Sequence, residues 1–236
     1  MKSKINIENI KQFVKLELSG WEKHELYGLI IIASTILFNA LILNDSIVAI
    51  ISAICGILYT ILAGKGKISC YLFGLTGTCF YSYLAFKNAL FGNLLLYMGY
   101  YLPMQIIGIF QWKKHLKKSN NEIIKTKLSK IELKKLFVIT FLSVFCFIGV
   151  LYTFKYSHPI IDGITTILSL LGMYLTVKRA IEQWIIWTIV NFLSIIMWVC
   201  VATSGQKVYS TIIMWCVYFI LGLYFYYKWN KEIKQN

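Results

Sequence analysis

Eight apolar blocks dominate this chain: residues 26–43, 46–63, 69–86, 93–112, 136–153, 160–177, 183–202 and 207–227. A helix needs about 20 apolar residues to cross the hydrocarbon of a bilayer, and each block meets or approaches that length. Inside lipid a backbone N–H or C=O can bond only within its own segment or a closed barrel. The dyad alternation of a membrane barrel is absent, so the blocks read as helices. Composition agrees: 58% of residues are hydrophobic and 14% charged, too little charge to cover a water-soluble surface. No cleavable signal peptide is visible in the first twenty residues, which lack an apolar core followed by small residues.

The formal charge of +14 is unevenly placed. Eight spans put both termini and the even-numbered connections on one side. All but three of the 24 Lys and Arg fall there; Lys87, Lys155 and Lys207 fall on the other. That is the positive-inside pattern, so both termini are expected in the cytoplasm. The basic run "KKHLKK" at 113–118 suits anionic headgroups. Nucleic acid is not an expected partner; the bilayer is. Six cysteines all lie inside the apolar blocks without C-x-x-C spacing, and read as small packing residues.

The expected organisation is an all-α polytopic membrane protein. Residues 1–25 form an amphipathic cytoplasmic N-terminus, with Ile7, Ile10, Phe13, Val14 and Leu18 at roughly helical spacing. Span 26–43 is an extra helix. Residues 46–112 make a first three-helix bundle, 113–135 a basic cytoplasmic loop, and 136–153 a linker helix. A second three-helix bundle covers 160–229, before a tail at 230–236. The halves repeat weakly: Asp45 aligns with Asp162, Ser52 with Ser169, Ala63 with Ala180, Tyr101 with Tyr218 and Trp112 with Trp229, at one constant offset. The repeats begin an even number of spans apart, so they point the same way. The plan is 1 + 3 + 1 + 3, with two parallel bundles of the kind some transporters use.

Polar residues inside the spans are few. In "EQWIIWTIVN", Glu182 to Asn191, a turn of about 100° per residue puts Trp184, Trp187 and Asn191 on one face. Trp198 returns to that face. Asn191 lies about 12 Å into a core about 30 Å thick. A carboxamide there needs a partner. Two partners fit: a neighbouring helix, or a flat heteroaromatic ligand whose ring lies against the indoles. Trp184, at the start of the span, also reads as an interface anchor. Gln105 is a second mid-depth amide, two residues after Pro103. That proline cannot donate to the carbonyl of Gly99, and it marks either a packing kink or the interrupted helix of a transport site. The aromatic run "YFYYKW" at 224–229 reads as an interface belt.

The missing groups narrow the function. No Asp, Glu, Lys, Arg or His sits deep in a span. A proton relay or ion-coupled pump would need one. A membrane hydrolase would need a nucleophile with its base or metal. "AGKGK" at 63–67 is a short basic connection and not a P-loop. A passive channel or carrier for a neutral or weakly cationic solute remains, with no enzyme activity, metal or cofactor expected.

Three stretches resemble the PnuC family of bacterial nicotinamide riboside transporters. They are "KISCYLFGL" at 67–75, "GIFQW" at 108–112 and, most specifically, "WIIWTIVN" at 184–191, which matches the family's W-x-x-W-x-x-x-N motif. The resemblance implies a fold like the SWEET sugar transporters. It implies facilitated diffusion of a vitamin precursor, trapping of the product by a cytoplasmic kinase, and a homotrimer. It implies that Trp184, Trp187 and Asn191 contact the small-molecule substrate, with Gln105 on the first-half helix. Tyr97 stands where an amide is expected, and Gly77 where relatives often carry Asn. These departures leave thiamine or riboflavin transport open beside nicotinamide riboside. A reading of another class is a membrane sensor or scaffold that binds a soluble partner through residues 113–135.

Overall fold

The computed structural model describes residues 11, 14–17, 19–43, 46–87, 91–117, 122–155, 159–203 and 209–235. Among them the helices are α1 (Lys23–Leu43), α2 (Ile47–Gly64), α3 (Cys70–Lys87), α4 (Phe91–Leu96), α5 (Leu102–Lys113), α6 (Lys130–Thr153), α7 (Pro159–Val177), α8 (Glu182–Thr203) and α9 (Tyr209–Gln235). A π-helical turn, Tyr97–Tyr101, joins α4 to α5. All eight apolar blocks are thus helical over their described residues. Among the described residues six stretches are long and apolar enough to span a membrane: 47–64, 94–113, 130–153, 159–177, 182–203 and 211–235. Helix α3 is long enough but less apolar, because Thr76, Thr78, Tyr81, Ser82 and Tyr83 interrupt it. The apolar excess faces outward. Phe137, Ile139, Phe141, Leu142 and Phe145 of α6 are all exposed, as only a lipid-facing helix tolerates.

The chain divides into two compact units, Met1–Leu102 with Trp112–Ile124, and Pro103–Gln111 with Lys125–Asn236. In the first, α2 packs along α3, and α3 against α4 and the π turn. In the second, α8 packs between α7 and α9, and α6 lies on α7. The notch for α6 is Gly163, where an added Cβ would come within 2.6 Å of Ile148 Cγ1.

The connection between the first two helices of each bundle is built identically. Gly66 and Arg179 both take left-handed backbone, at φ 71° and 61°. Gly66 N–H donates to Ala63 O and Arg179 N–H to Thr176 O, both at 3.0 Å. Lys67 N–H reaches Leu62 O, and Ala180 N–H reaches Leu175 O. Cys70 and Tyr71 close the next turn onto Lys67 O and Ile68 O; Gln183 and Trp184 do so onto Ala180 O and Ile181 O. Each set terminates one helix in the way a left-handed C-cap does and starts the next. The repeat is therefore structural, but its register moves. Tyr71 is the counterpart of Trp184, four residues short of the register that pairs Trp112 with Trp229. The aligned pair Ala63 and Ala180 gives way to Ala63 and Thr176.

The described residues of 113–135 are tied down by backbone bonds. Helix α5 runs to Lys113 and α6 starts at Lys130. Leu116 and Ile123 form an antiparallel bridge, as do Lys67 and Glu122. Within the first unit Ile123 N–H donates to Gly66 O at 2.9 Å. Within the second, Thr126 N–H donates to Arg179 O and Ile181 N–H to Thr126 O, each at 2.9 Å.

Two of the lysines behind the positive-inside pattern are buried. Lys67 is 0% exposed; its ammonium donates to Leu16 O at 2.9 Å and stands 3.4 Å from Glu122. Lys65 pairs with Glu25, donates to Gly20 O at 2.8 Å and lies over the Trp21 ring. A buried ammonium needs such partners. Glu17 completes the knot by accepting from the Ser69 N–H and hydroxyl at the start of α3. The terminal aromatic run also differs from an interface belt. Phe225 is 2% and Trp229 0% exposed, and Lys125, paired with Glu232, lies 5.0 Å from the Trp229 ring centroid. Among the cysteines, Cys55 and Cys70 are buried, whereas Cys79, Cys146 and Cys200 are exposed.

Gly163→Leu should lower thermal stability by about 1–3 kcal/mol through overpacking against Ile148. Gly149→Leu is the control, because nothing lies within 4 Å of its added Cβ. Thermal unfolding of both variants in detergent, with equal melting temperatures, would refute this packing of α6.

Candidate functional site

Helix α8 carries four of the six residues singled out by sequence, and they do not behave alike. Trp184, in the first turn, is 3% exposed. Its ring lies 5.1 Å from Phe225 and 5.7 Å, edge-on, from Trp229. It is neither an interface anchor nor an open platform. It is a core residue that fixes the start of α8 against the end of α9. The counterpart in the first unit is Tyr71, buried and edge-on to Trp112 at 5.0 Å.

One turn deeper, Trp187 is half-buried and held from α7. Its indole N–H donates to Thr176 Oγ1 at 3.2 Å. Gly172 makes room for it: an added Cβ there would stand 2.8 Å from Trp187 Cε2. Ring orientation is thus set by a hydrogen bond at one edge and a missing side chain beneath. Asn191 follows at 6% exposure, and its carboxamide makes no hydrogen bond to any described residue. Of the two partners weighed from sequence, no described residue of a neighbouring helix supplies one. An amide so placed has hydrogen-bonding capacity for a guest. Trp198 lies further along α8, half-buried.

Gln105 on α5 is 5% exposed and belongs to the same compact unit as the α8 residues. Tyr97 belongs to the other unit. It opens the π turn, stacks on Tyr81 with centroids 4.2 Å apart, and meets Tyr101 edge-on at 4.9 Å. The π turn is how the chain accommodates Pro103. The proline ring would crowd the carbonyl of Gly99, and the backbone widens just before it, with Leu102 N–H donating to Tyr97 O. Gly77 is explained by packing. An added Cβ would meet Cys55 Cβ at 3.1 Å, so glycine lets α2 and α3 approach closely and a larger residue would push them apart.

Sequence reading missed Thr176 and Gly172, which position Trp187. A signal was present: "GMYLT" at 172–176 spaces two small residues one turn apart, as at close helix contacts. Among the described residues no three or more His, Cys, Asp or Glu come together as a metal site would require.

A polytopic helical bundle with a half-exposed indole and an unbonded amide inside a span, and no deep charge, defines a membrane transporter for small solutes. Comparison with known proteins gives the family. The model of the family described as "Nicotinamide mononucleotide transporter" matches residues 46–231, and the chain belongs to that family. It is 33% identical over 221 residues to the nicotinamide riboside transporter PnuC of Haemophilus influenzae, covering 93% of this chain and 95% of that one. It is 30% identical over 243 residues to the protein of the same name from Neisseria mucosa, covering 94% and 90%. A solved structure described as the crystal structure of the vitamin B3 transporter PnuC superposes with a TM-score of 0.81. It shares 29% identity and covers 95% of this chain and 98% of that one.

The two tryptophans should separate in experiment. Trp184→Ala removes a fully packed ring and should destabilise the folded protein by about 3–5 kcal/mol. Trp198→Ala should leave it folded. Thermal unfolding in detergent measures the difference, and equal stability of the two variants would contradict the core assignment of Trp184.

Proposed function

We propose that this protein carries nicotinamide riboside across the bacterial cytoplasmic membrane by facilitated diffusion. The observation that carries the reading is Asn191, a buried amide unbonded to described residues, one turn from the Trp187 indole held by Thr176. An indole face attracts a cationic pyridinium ring, by about 2 kcal/mol or more once both are desolvated. The amide supplies hydrogen bonds to the ligand's carboxamide or ribose. Gln105 and Trp198 are further candidate contacts in the same unit; Tyr97 is a candidate in its own unit.

The family description names a mononucleotide, whereas the relatives are named for the riboside. Charge favours the riboside. A phosphate held in a span calls for Arg or Lys beside it, and no span carries one deep inside. The same lack of deep acids and bases supports a uniporter over an ion-coupled pump, and a carrier over an enzyme. Net uptake then needs a sink, which phosphorylation by a cytoplasmic kinase provides. Both termini are taken as cytoplasmic, the architecture as SWEET-like and the assembly as a homotrimer in the bilayer.

Purified protein titrated with nicotinamide riboside, thiamine and riboflavin, followed by calorimetry, tests the substrate. Nicotinamide riboside alone should bind saturably. Asn191→Ala should lower both binding and cellular uptake by about tenfold or more at unchanged protein level. Thiamine or riboflavin binding in its place would reassign the vitamin, and unchanged uptake by Asn191→Ala would remove Asn191 from the site.

A further inference from the structure

Helix α8 keeps its two sides apart. Ile185, Ile189, Phe192, Ile196 and Val199 are exposed. At about 100° per residue they share one side, and Trp187, Asn191, Ser194 and Trp198 lie on the opposite side, within about 60° of one another. These four belong to one compact unit and to one unbroken helix. Their order along the axis is ring, amide, hydroxyl, ring. Asn191 lies about 6 Å beyond Trp187, Ser194 about 4.5 Å beyond Asn191, and Trp198 about 6 Å beyond Ser194.

The two indoles are half-buried. The polar residues between them are nearly closed, Asn191 at 6% exposure and Ser194 at 4%. Neither makes a hydrogen bond to any described residue. A hydroxyl inside a helix has a partner at hand, the carbonyl one turn back. Thr188 uses it, donating to Trp184 O at 2.6 Å, and Thr176 donates to Gly172 O at 2.9 Å. Ser194 leaves it unused. Alanine would fill the same space, so packing does not account for a hydroxyl in this state. Buried and unbonded, it costs free energy until something bonds it. Its neighbour three residues back on the same face is the equally unbonded Asn191, and side chains at that spacing stand about 5–6 Å apart.

We infer that Ser194 is a solute contact beside Asn191, and that it recognises a hydroxyl of the carried molecule. The inference rests on the nicotinamide riboside reading and names the part of that ligand it recognises, the sugar. With the pyridinium ring at the level of Trp187, the ribose joined to it extends along α8 past Asn191 to Ser194. The 2′ and 3′ hydroxyls of a riboside are neighbours, as the amide and the serine hydroxyl are. A serine hydroxyl donates one proton and accepts at two lone pairs, so it suits either of them. A site that hydrogen-bonds a substrate hydroxyl rejects the analogue lacking it more strongly than an apolar site does.

The test compares wild type and Ser194→Ala by calorimetry with nicotinamide riboside and its 2′-deoxy and 3′-deoxy analogues. Alanine removes the hydroxyl and keeps the helix. The expected result is about five- to tenfold weaker binding of nicotinamide riboside by Ser194→Ala, with at least one deoxy analogue bound equally by the two proteins. Ser194→Cys, close in size and only a weak donor, replaces the alanine variant if that fails to fold. Equal affinity of wild type and variant for nicotinamide riboside, or equal weakening of all three ligands, overturns the inference and leaves the transport reading intact. Failure of wild type to bind nicotinamide riboside overturns the transport reading and this inference with it.

Discussion

Each bundle depends on how the backbone closes between its first two helices. The last carbonyls of α2 and α7 have no partner within their own helices, and the chain must turn back within six residues at most. A left-handed residue followed by a bond across the turn solves this, with Gly66 in one unit and Arg179 in the other. Glycine adopts that conformation freely; arginine does so at a cost. The same turn sets which residue begins the next helix, and therefore which side chains α3 and α8 present three turns later. Thr78 and Asn191 occupy matching positions because these turns are matched. Segment 122–127 supports both, bonding Gly66 through Ile123 in one unit and Arg179 through Thr126 in the other.

On that common backbone the two units diverge by moving bulk. In the second unit, Gly172 makes room for Trp187 and Thr176 bonds its edge. In the first, the corresponding positions are Tyr59, Gly74 and Ala63, which hold the ring on the neighbouring helix and lack the hydroxyl acceptor. The side chains at matching positions are not conserved: an indole and an amide on α8, a glycine and a hydroxyl on α3.

The spans were legible because lipid makes a run of apolar residues nearly equivalent to a helix. The face bearing Trp187 and Asn191 was legible from helical spacing alone. Trp184 and Trp229 were not, because hydropathy cannot separate a tryptophan at the membrane surface from one locked in a core; only the packing against Phe225 does so. Lys65 and Lys67 entered the sidedness count although both are buried, since a charge count carries nothing about the Glu25, Glu122 and backbone carbonyls that receive them. The four-residue shift in the repeat escaped detection because sparse identities permit several offsets, whereas a hydrogen-bond pattern permits one. Pro103 announced a break, but not its form, a π turn in which Tyr97 and Tyr101 meet edge-on.

The helices outside the two bundles share a further likeness. At the start of α1, Glu25 accepts the Glu22 N–H at 2.9 Å, and at the start of α6, Glu132 accepts the Ser129 N–H at 2.9 Å within a full capping box. Each of these helices packs on the first helix of its own bundle, α1 on α2 and α6 on α7. The plan 1 + 3 + 1 + 3 is then equally 4 + 4. Four spans return the chain to the side on which it began, so a tandem copy of four is parallel to the first without any added crossing. Three spans would leave the second copy inverted unless one more helix were inserted. Helix α6 meets that topological need whichever way the helices are grouped. Its exposed phenylalanines show how little else the second unit asks of its outer face.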